Sequence, residues 1–430
     1  MLSKALITKL HASRLQLVVM MGFLIAGTIL RLLWAEDMEW KIEEKWMFEQ
    51  AQLIASGAAP LPLVGMESSV IVRNPGMSIW CFALIAKFAH DPIAMVRCIQ
   101  WLNIVTIWLF FGFVLWQIPQ NQRRPWLWGL AIASVNPFAV LFSRKIWTPD
   151  ILAPFCFLVF FGHWFRKKFW GSFLWGIAGI ASGQVQMGGF FLTLGLLVWT
   201  VWHDYNHKTL KKTAWTGWVL GTALGGIPLI PWLWEVLPQM GGYRRSIVGL
   251  LVPKFYSQWV SSALGVNLSY SIKRVFWNDF LREPLIFGIP TYLMIPAHLF
   301  LVGIGLYALY RWFKSRKNSH KKASTSEVEP ALIFYLKAMA IGVGGAFTLS
   351  AVNVHPYYIT IVFPFMYMWL AQLYQKKVRL LMAIALVQLL ITVTFLVFIH
   401  RTGGIPFTGS GYGITYRLQV EQPQTHSLAH

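Results

Sequence analysis

The chain has 430 residues, of which 56% are hydrophobic and only 12% are charged. This balance excludes an ordinary soluble domain and is typical of an integral membrane protein. The formal net charge of +21 does not indicate a nucleic-acid partner, because the basic residues fall in short clusters between apolar segments, as they do in cytoplasmic loops.

The apolar segments predict an all-α membrane protein with about eleven transmembrane helices. The first follows a basic N-terminus and is expected to be a retained anchor, because no small-residue cleavage site follows it. Residues 1–400 are predicted to form one polytopic membrane domain and 401–430 a short tail. The predicted spans cover residues 15–34, 93–116, 126–142, 151–165, a hairpin over 169–202, 215–234, 284–310, 331–351, 359–374 and a last segment ending near 398.

The charge distribution predicts the orientation of these spans. More than half of the Lys and Arg residues fall in the loops that this topology places inside, whereas only three acids, Asp204, Glu327 and Glu329, do so. The N-terminus is therefore expected in the cytoplasm, and residues 35–92 and 235–284 form the two long outer loops. The bacterial inner membrane is the expected location of the protein. The second long loop is expected to close over a functional site on the outer side.

The first outer loop is unusually acidic. Interfacial helices are predicted over residues 38–55 and 77–89, because one is amphipathic and the other is too short to cross. Glu39 and Glu43 fall in the middle of the apolar arc of the first, where a carboxylate is costly unless it is paired or functional. Eight of the 16 acids lie in this segment: Glu36, Asp37, Glu39, Glu43, Glu44, Glu49, Glu67 and Asp91.

Other polar groups are expected on the same outer side. They are Arg73, Arg144, Lys145, Asp150, Gln184, Gln186 and His355. Carboxylates beside several cations suit a substrate that combines a sugar with a phosphate. A carboxylate can accept the proton of an acceptor hydroxyl, and cations can hold a leaving lipid phosphate.

Four segments carry a resemblance to a known family. They are residues 31–37, 74–80, 143–152 and 356–364. In this order they resemble motifs of the polytopic type C glycosyltransferases that use polyprenyl-phosphate sugars, in particular the protein O-mannosyltransferase and lipid A aminoarabinose transferase branch. The resemblance implies that an early-loop acid is the catalytic base, that Asp150 supports it, and that the late motif helps to hold the donor phosphate.

The sequence also departs from the family pattern. The adjacent acidic pair of the family falls at Glu43 and Glu44 rather than at Asp37. The base is thus Asp37, the first candidate, or one of Glu39, Glu43 and Glu44. The residues expected at the donor phosphate are Arg73, Arg144, Lys145, His355, Tyr357 and Tyr358.

The predicted function is therefore a membrane glycosyltransferase that moves a sugar from a polyprenyl-phosphate donor to an unidentified acceptor at the outer face. Participation of a divalent cation is left open, because the spacing of the acidic residues does not match a known set of metal ligands. The alternative is a transporter or a flippase of lipid-linked sugars, which would need polar groups near the bilayer midplane. Simpler roles compete for single residues, such as helix capping for Asp37 and the interfacial aromatic belt for Tyr357 and Tyr358.

Overall fold

The computed structural model describes residues 4–68, 72–238, 254–272, 276–318, 330–405 and 412–421. The structure is mostly helical (77%), and its long apolar helices are those of a membrane protein. Within the described ranges, five helices are long and apolar enough to span a bilayer, or six if one pair bent by 56° is a single span. These are Arg14–Leu32, Pro92–Gln117, Met294–Arg311, Ala331–Ser350, Val378–Thr402 and the bent pair Trp215–Gly226 with Leu229–Val236.

The α-helices are labelled in chain order. They are α1 Lys4–Leu32, α2 Ile42–Ala55, α3 Met77–Ala86, α4 Pro92–Gln117, α5 Arg123–Val135, α6 Pro137–Leu141, α7 Leu152–Trp164, α8 Phe169–Val185, α9 Gly188–Asn206, α10 Trp215–Gly226, α11 Leu229–Val236, α12 Lys254–Leu264, α13 Trp277–Arg282, α14 Met294–Asn318, α15 Ala331–Lys337, α16 Gly344–Ser350, α17 Phe365–Leu373, α18 Val378–Thr402 and α19 Tyr416–Glu421. A π-helical segment, Ala338–Val343, joins α15 to α16.

Short antiparallel hairpins and single 3₁₀ turns complete the described structure. The hairpins pair β1 Val64–Glu67 with β2 Arg73–Pro75, β3 Leu285–Ile286 with β4 Ile289–Pro290, and β5 Gly404–Ile405 with β6 Gly413–Ile414. The 3₁₀ turns that matter for the site are Ala35–Asp37, Thr148–Ile151 and Pro356–Val362.

Helix α5 lies at the centre of the bundle, where α1, α4, α17 and α18 pack against it. Gly27 on α1 permits a close approach, because a Cβ there would lie 2.3 Å from the carbonyl oxygen of Ser134. Next to this contact, the buried guanidinium of Arg31 donates to the Ser134 carbonyl at 2.6 Å and to the Gly27 carbonyl at 3.0 Å. This contact fixes the C-terminal half of α1 on α5, and with it the start of the acidic loop.

Several predicted elements begin or break at different residues. The predicted span 126–142 divides into α5 and α6, because Asn136 caps a new helix whose first residue is Pro137. The predicted span 284–310 begins with the β3–β4 hairpin, so its helix starts only at Met294. The predicted helix 38–55 starts at Ile42, which leaves Glu39 in an extended connection that bridges Thr415.

Candidate functional site

The first acidic loop meets two other connections, those that carry Lys145 and Tyr357, and the C-terminal tail at one end of the bundle, here called the acidic end. Glu39 forms an ion pair with Lys145 of the connection between α6 and α7. The Trp147 ring lies 4.8 Å from that of Tyr357, and Arg417 of α19 pairs with Asp37. Residues that are far apart in sequence are therefore brought together at this end.

Asp37 binds residues of the C-terminal tail at this end of the bundle. Its Oδ1 accepts a hydrogen bond from Arg417 Nε at 2.8 Å, and its Oδ2 lies 2.6 Å from His400 Nδ1. The Tyr412 hydroxyl donates to its backbone oxygen at 2.6 Å. Both carboxylate oxygens of the first candidate base are thus occupied by the chain itself, in a buried position.

Glu39 and Glu44 are also buried and engaged. The ammonium groups of Lys41 and Lys145 both contact the Glu39 carboxylate. Glu44 stands at the third position of α2 and accepts a hydrogen bond from the Lys41 N–H at 3.1 Å, which caps the helix. Burial, reinforced by the negative charge of Glu39, raises the pKa of Glu44 to about 8.

Asp150 holds the connection between α6 and α7. Its Oδ1 accepts hydrogen bonds from the backbone N–H groups of Arg144 and Lys145, each at 3.1 Å. Its Oδ2 is buried and has no hydrogen-bond partner among the described residues. Burial raises the pKa of this carboxyl well above its usual value, although Lys145 opposes the shift.

Arg144 and Lys145 are buried within the protein. The Arg144 guanidinium donates to the carbonyl oxygens of Leu30, Arg31 and Trp34, at 2.6, 2.9 and 2.9 Å, which satisfies the free carbonyls at the end of α1. Lys145 pairs with Glu39 among the rings of Phe142, Trp147 and Tyr412. In their described contacts, both cations therefore bind groups of the protein itself and hold separate segments of the chain together.

A cavity of about 280 Å³ opens beside this buried cluster. Glu43 is the one early-loop candidate base that lines it, and no Lys or Arg belongs to the described residues around it. Gln186, nearly buried in the wall, has an amide oxygen without a hydrogen-bond partner among these residues. The lining comprises Glu43, Met47, Met66, Glu67, Ser68, Asn74, Trp147, Thr148, Gln186, Met187, Tyr357 and Tyr358.

The elements around the cavity explain this set. Helix α2 contributes Glu43 and Met47 to the lining, and the β1–β2 hairpin contributes Glu67 and Asn74. The Asn74 side-chain amide donates to the Met66 carbonyl at 2.9 Å, which holds the two strands of this hairpin together. His355 stacks on Tyr357 with 5.5 Å between ring centres, while Arg73 is exposed on β2 next to Asn74. Burial and the nearby Lys254 lower the pKa of His355.

Of the predicted site residues, Glu43, Tyr357 and Tyr358 line the cavity, and Arg73 and His355 adjoin residues that do. Asp37, Glu39, Glu44, Asp150, Arg144 and Lys145 form the buried support behind it. Glu67 lies in the acidic first loop and Gln186 in an outer turn, and the sequence indicated both segments as polar parts of the outer side. The roles of His400, Tyr412 and Arg417 had no sequence signal, because their partners lie more than 360 residues away.

Part of the predicted site lies outside the described residues. Residues 69–71 of the first long loop and 239–253 and 273–275 of the second belong to this part. Of the predicted tail, residues 406–411 and 422–430 also lie outside the described ranges. Just before the second long loop, on α11, Trp232 Nε1 donates to the Arg73 carbonyl at 3.0 Å. Among the described residues, no group of three or more His, Cys, Asp or Glu side chains is arranged to hold a metal ion.

Glu44→Gln is expected to remove a pH dependence of stability. The folded state binds the Glu44 proton more tightly than the unfolded state, so the stabilisation is complete below the ordinary pKa of 4.5 and is lost as the pH rises through about 8. In detergent, wild type should lose up to a few kcal/mol between these limits, and the variant much less. Glu49→Gln, on the exposed face of the same helix, should follow wild type; equal slopes for all three proteins would refute the prediction.

Arg417→Gln is expected to loosen the tail and to destabilise the fold by about 1–3 kcal/mol, because the buried Asp37 loses a charged partner. Thermal unfolding followed by tryptophan fluorescence measures the change. The control is Lys45→Gln, whose exposed pair with Glu49 spans 4.0 Å and should contribute little. An Arg417 variant as stable as this control would show that the tail contact is dispensable.

In comparisons with models of protein families, with curated proteins and with solved structures, this chain finds no match.

Proposed function

We propose that the protein is a membrane glycosyltransferase that moves a sugar from a polyprenyl-phosphate donor to an acceptor hydroxyl. The observation that carries this proposal is the acidic-end cavity, which Glu43 lines together with aromatic side chains and the Gln186 amide oxygen, which has no hydrogen-bond partner among the described residues. Carboxylate and amide oxygens accept hydrogen bonds from sugar hydroxyls, and aromatic faces provide apolar contact area. The predicted eleven-span topology and the outer location of the site belong to the same proposal.

Glu43 is the proposed general base. In the proposed step, Glu43 takes the proton of the acceptor hydroxyl as the acceptor oxygen attacks the anomeric carbon. The bond from that carbon to the phosphate oxygen breaks, the polyprenyl phosphate leaves with the electron pair, and the configuration inverts. This role falls to Glu43 instead of Asp37, because Asp37 is already bound by Arg417 and His400.

The phosphate is proposed to lie at the edge of the cavity. The cavity lining contains two carboxylates, Glu43 and Glu67, and no described cation, so an anion inside it would be repelled. Two cations are candidates to hold it: Arg73, on the strand that supplies Asn74, and Lys254, whose ammonium donates to Asn353 near His355.

The test is a transfer assay with purified protein in detergent. Radiolabelled undecaprenyl-phosphate sugars, hexose and pentose, are incubated with protein and with a lipid and glycan extract of bacterial membranes. We expect label to move from the carrier to an acceptor in the extract. No transfer from any donor, together with movement of the labelled lipid between leaflets of reconstituted vesicles, would overturn the enzyme proposal in favour of a flippase.

A further inference from the structure

The connection between α13 and α14 ends in an apolar hairpin with an exposed tip. Strands β3 and β4 pair Leu285 with Pro290 and Ile286 with Ile289. The two turn residues, Phe287 and Gly288, have φ of +50° and +78°, the left-handed conformation that a tight two-residue hairpin turn requires. Glycine adopts it freely, but Phe287 does so at a steric cost. The Thr291 hydroxyl closes the base by donating to the Pro284 carbonyl at 2.5 Å.

The tip carries no described packing of its own. The Phe287 side chain is 99% exposed, and Ile286 and Ile289 on either side of the turn are more than half exposed. In water this arrangement would leave a contiguous apolar surface unburied, at a position that also demands an unfavourable backbone. An environment other than water therefore has to be the natural surrounding of the tip.

The chain on both sides of the hairpin indicates which environment this is. Before it, α13 exposes the polar residues Asn278, Asp279 and Arg282. After it, α14 is a candidate membrane span, and its exposed apolar residues Ile295, Leu299, Val302 and Leu306 recur at intervals of four and three, as on one face of a helix. The hairpin thus lies between a polar segment and a lipid-facing stripe, where water meets hydrocarbon.

We propose that the β3–β4 hairpin inserts its tip into the lipid leaflet at the acidic end of the bundle. Its position at that end follows from the cavity of about 500 Å³ that Leu285, Gly288 and Pro290 line together with Thr402 and Gly404. The insertion is shallow, because backbone groups at strand edges need hydrogen-bond partners that hydrocarbon lacks. Phe287 acts as an interfacial anchor, and this inference is independent of the proposed enzymatic function.

The test is the depth of a fluorophore at the tip. Phe287→Cys, in a background in which Cys81 and Cys98 are replaced by alanine, is labelled with an environment-sensitive nitrobenzoxadiazole probe. The protein is then placed in nanodiscs of phosphatidylethanolamine and phosphatidylglycerol. Lipids that carry a nitroxide on the upper acyl chain should quench the probe at least about twofold more strongly than aqueous iodide does.

Asn278→Cys, on the exposed polar face of α13, is the matched control, and its probe should respond mainly to iodide. Quenching of the Phe287 probe by iodide to the same extent as the control would overturn the proposal. A Phe287 probe that neither quencher reaches would overturn it as well, because a covering protein segment would then be the partner of the tip.

Discussion

Glu43→Gln is expected to lower sugar transfer by about two to four orders of magnitude, the usual contribution of a general base. The amide keeps the size of the side chain but cannot accept the proton of the acceptor hydroxyl. Because Glu43 is exposed, the variant should fold and unfold like wild type. The measurement is the initial rate of transfer of labelled sugar, together with the unfolding temperature.

The matched control is Glu49→Gln, an exposed carboxylate on the same helix that is absent from the cavity lining. It should transfer sugar at the wild-type rate. A Glu43 variant that keeps this rate, while Asp37→Asn loses it without loss of stability, would contradict the assignment and return the role of base to Asp37.

Lys145→Met is expected to destabilise the fold by about 3–5 kcal/mol, the range for breaking a buried ion pair from one side. Lys145 and Glu39 are both almost fully buried, and the methionine would leave Glu39 with Lys41 as its remaining described cation. The fall should appear in thermal unfolding in detergent.

A double-mutant cycle isolates the contribution of this pair. The variant with Lys145→Met and Glu39→Gln should be more stable than Lys145→Met alone, because the buried carboxylate that Lys41 alone would have to balance is then replaced by a neutral amide. If Lys145→Met alone is within about 1 kcal/mol of wild type in stability, the Lys145–Glu39 pair does not stabilise the acidic end.

The assembly of the acidic end could be predicted from the sequence to a useful degree. Loops that follow alternate spans are expected to return to the same end, and the charge pattern predicts which loops these are. This was enough to bring Glu43, Tyr357 and the connection at Asp150 together. The sequence could not show which acid is best placed to act as the base, because this depends on which carboxylates form ion pairs or hydrogen bonds within the protein.

The neutralising contacts come from the tail and from single turns. Asp37 is bound by Arg417, 380 residues further along the chain, and no periodic pattern links the two positions. Arg144, which the sequence predicts at the donor phosphate, donates to the backbone carbonyls at the end of α1. A sequence shows which residues are cationic, but the geometry of a turn decides which acceptors they meet.

Hydropathy alone also failed to separate the hairpin from the span that follows it. Residues 284–310 form a nearly unbroken apolar run, so the prediction of one helix was natural. The structure instead begins with paired strands, because Phe287 and Gly288 turn the chain back before Met294 starts the helix. The composition of a segment indicates whether it lies in lipid or in water, but it does not determine whether its backbone forms a helix or a hairpin.

The most direct test of the proposed site is a density map of the protein in nanodiscs with an undecaprenyl-phosphate-linked sugar. We expect sugar density in the acidic-end cavity, within hydrogen-bond distance of Glu43 and Gln186, with the phosphate at the edge of the cavity and the isoprenoid chain in the bilayer. Sugar density at the opposite end of the bundle, with only solvent beside Glu43 at a saturating ligand concentration, would contradict it.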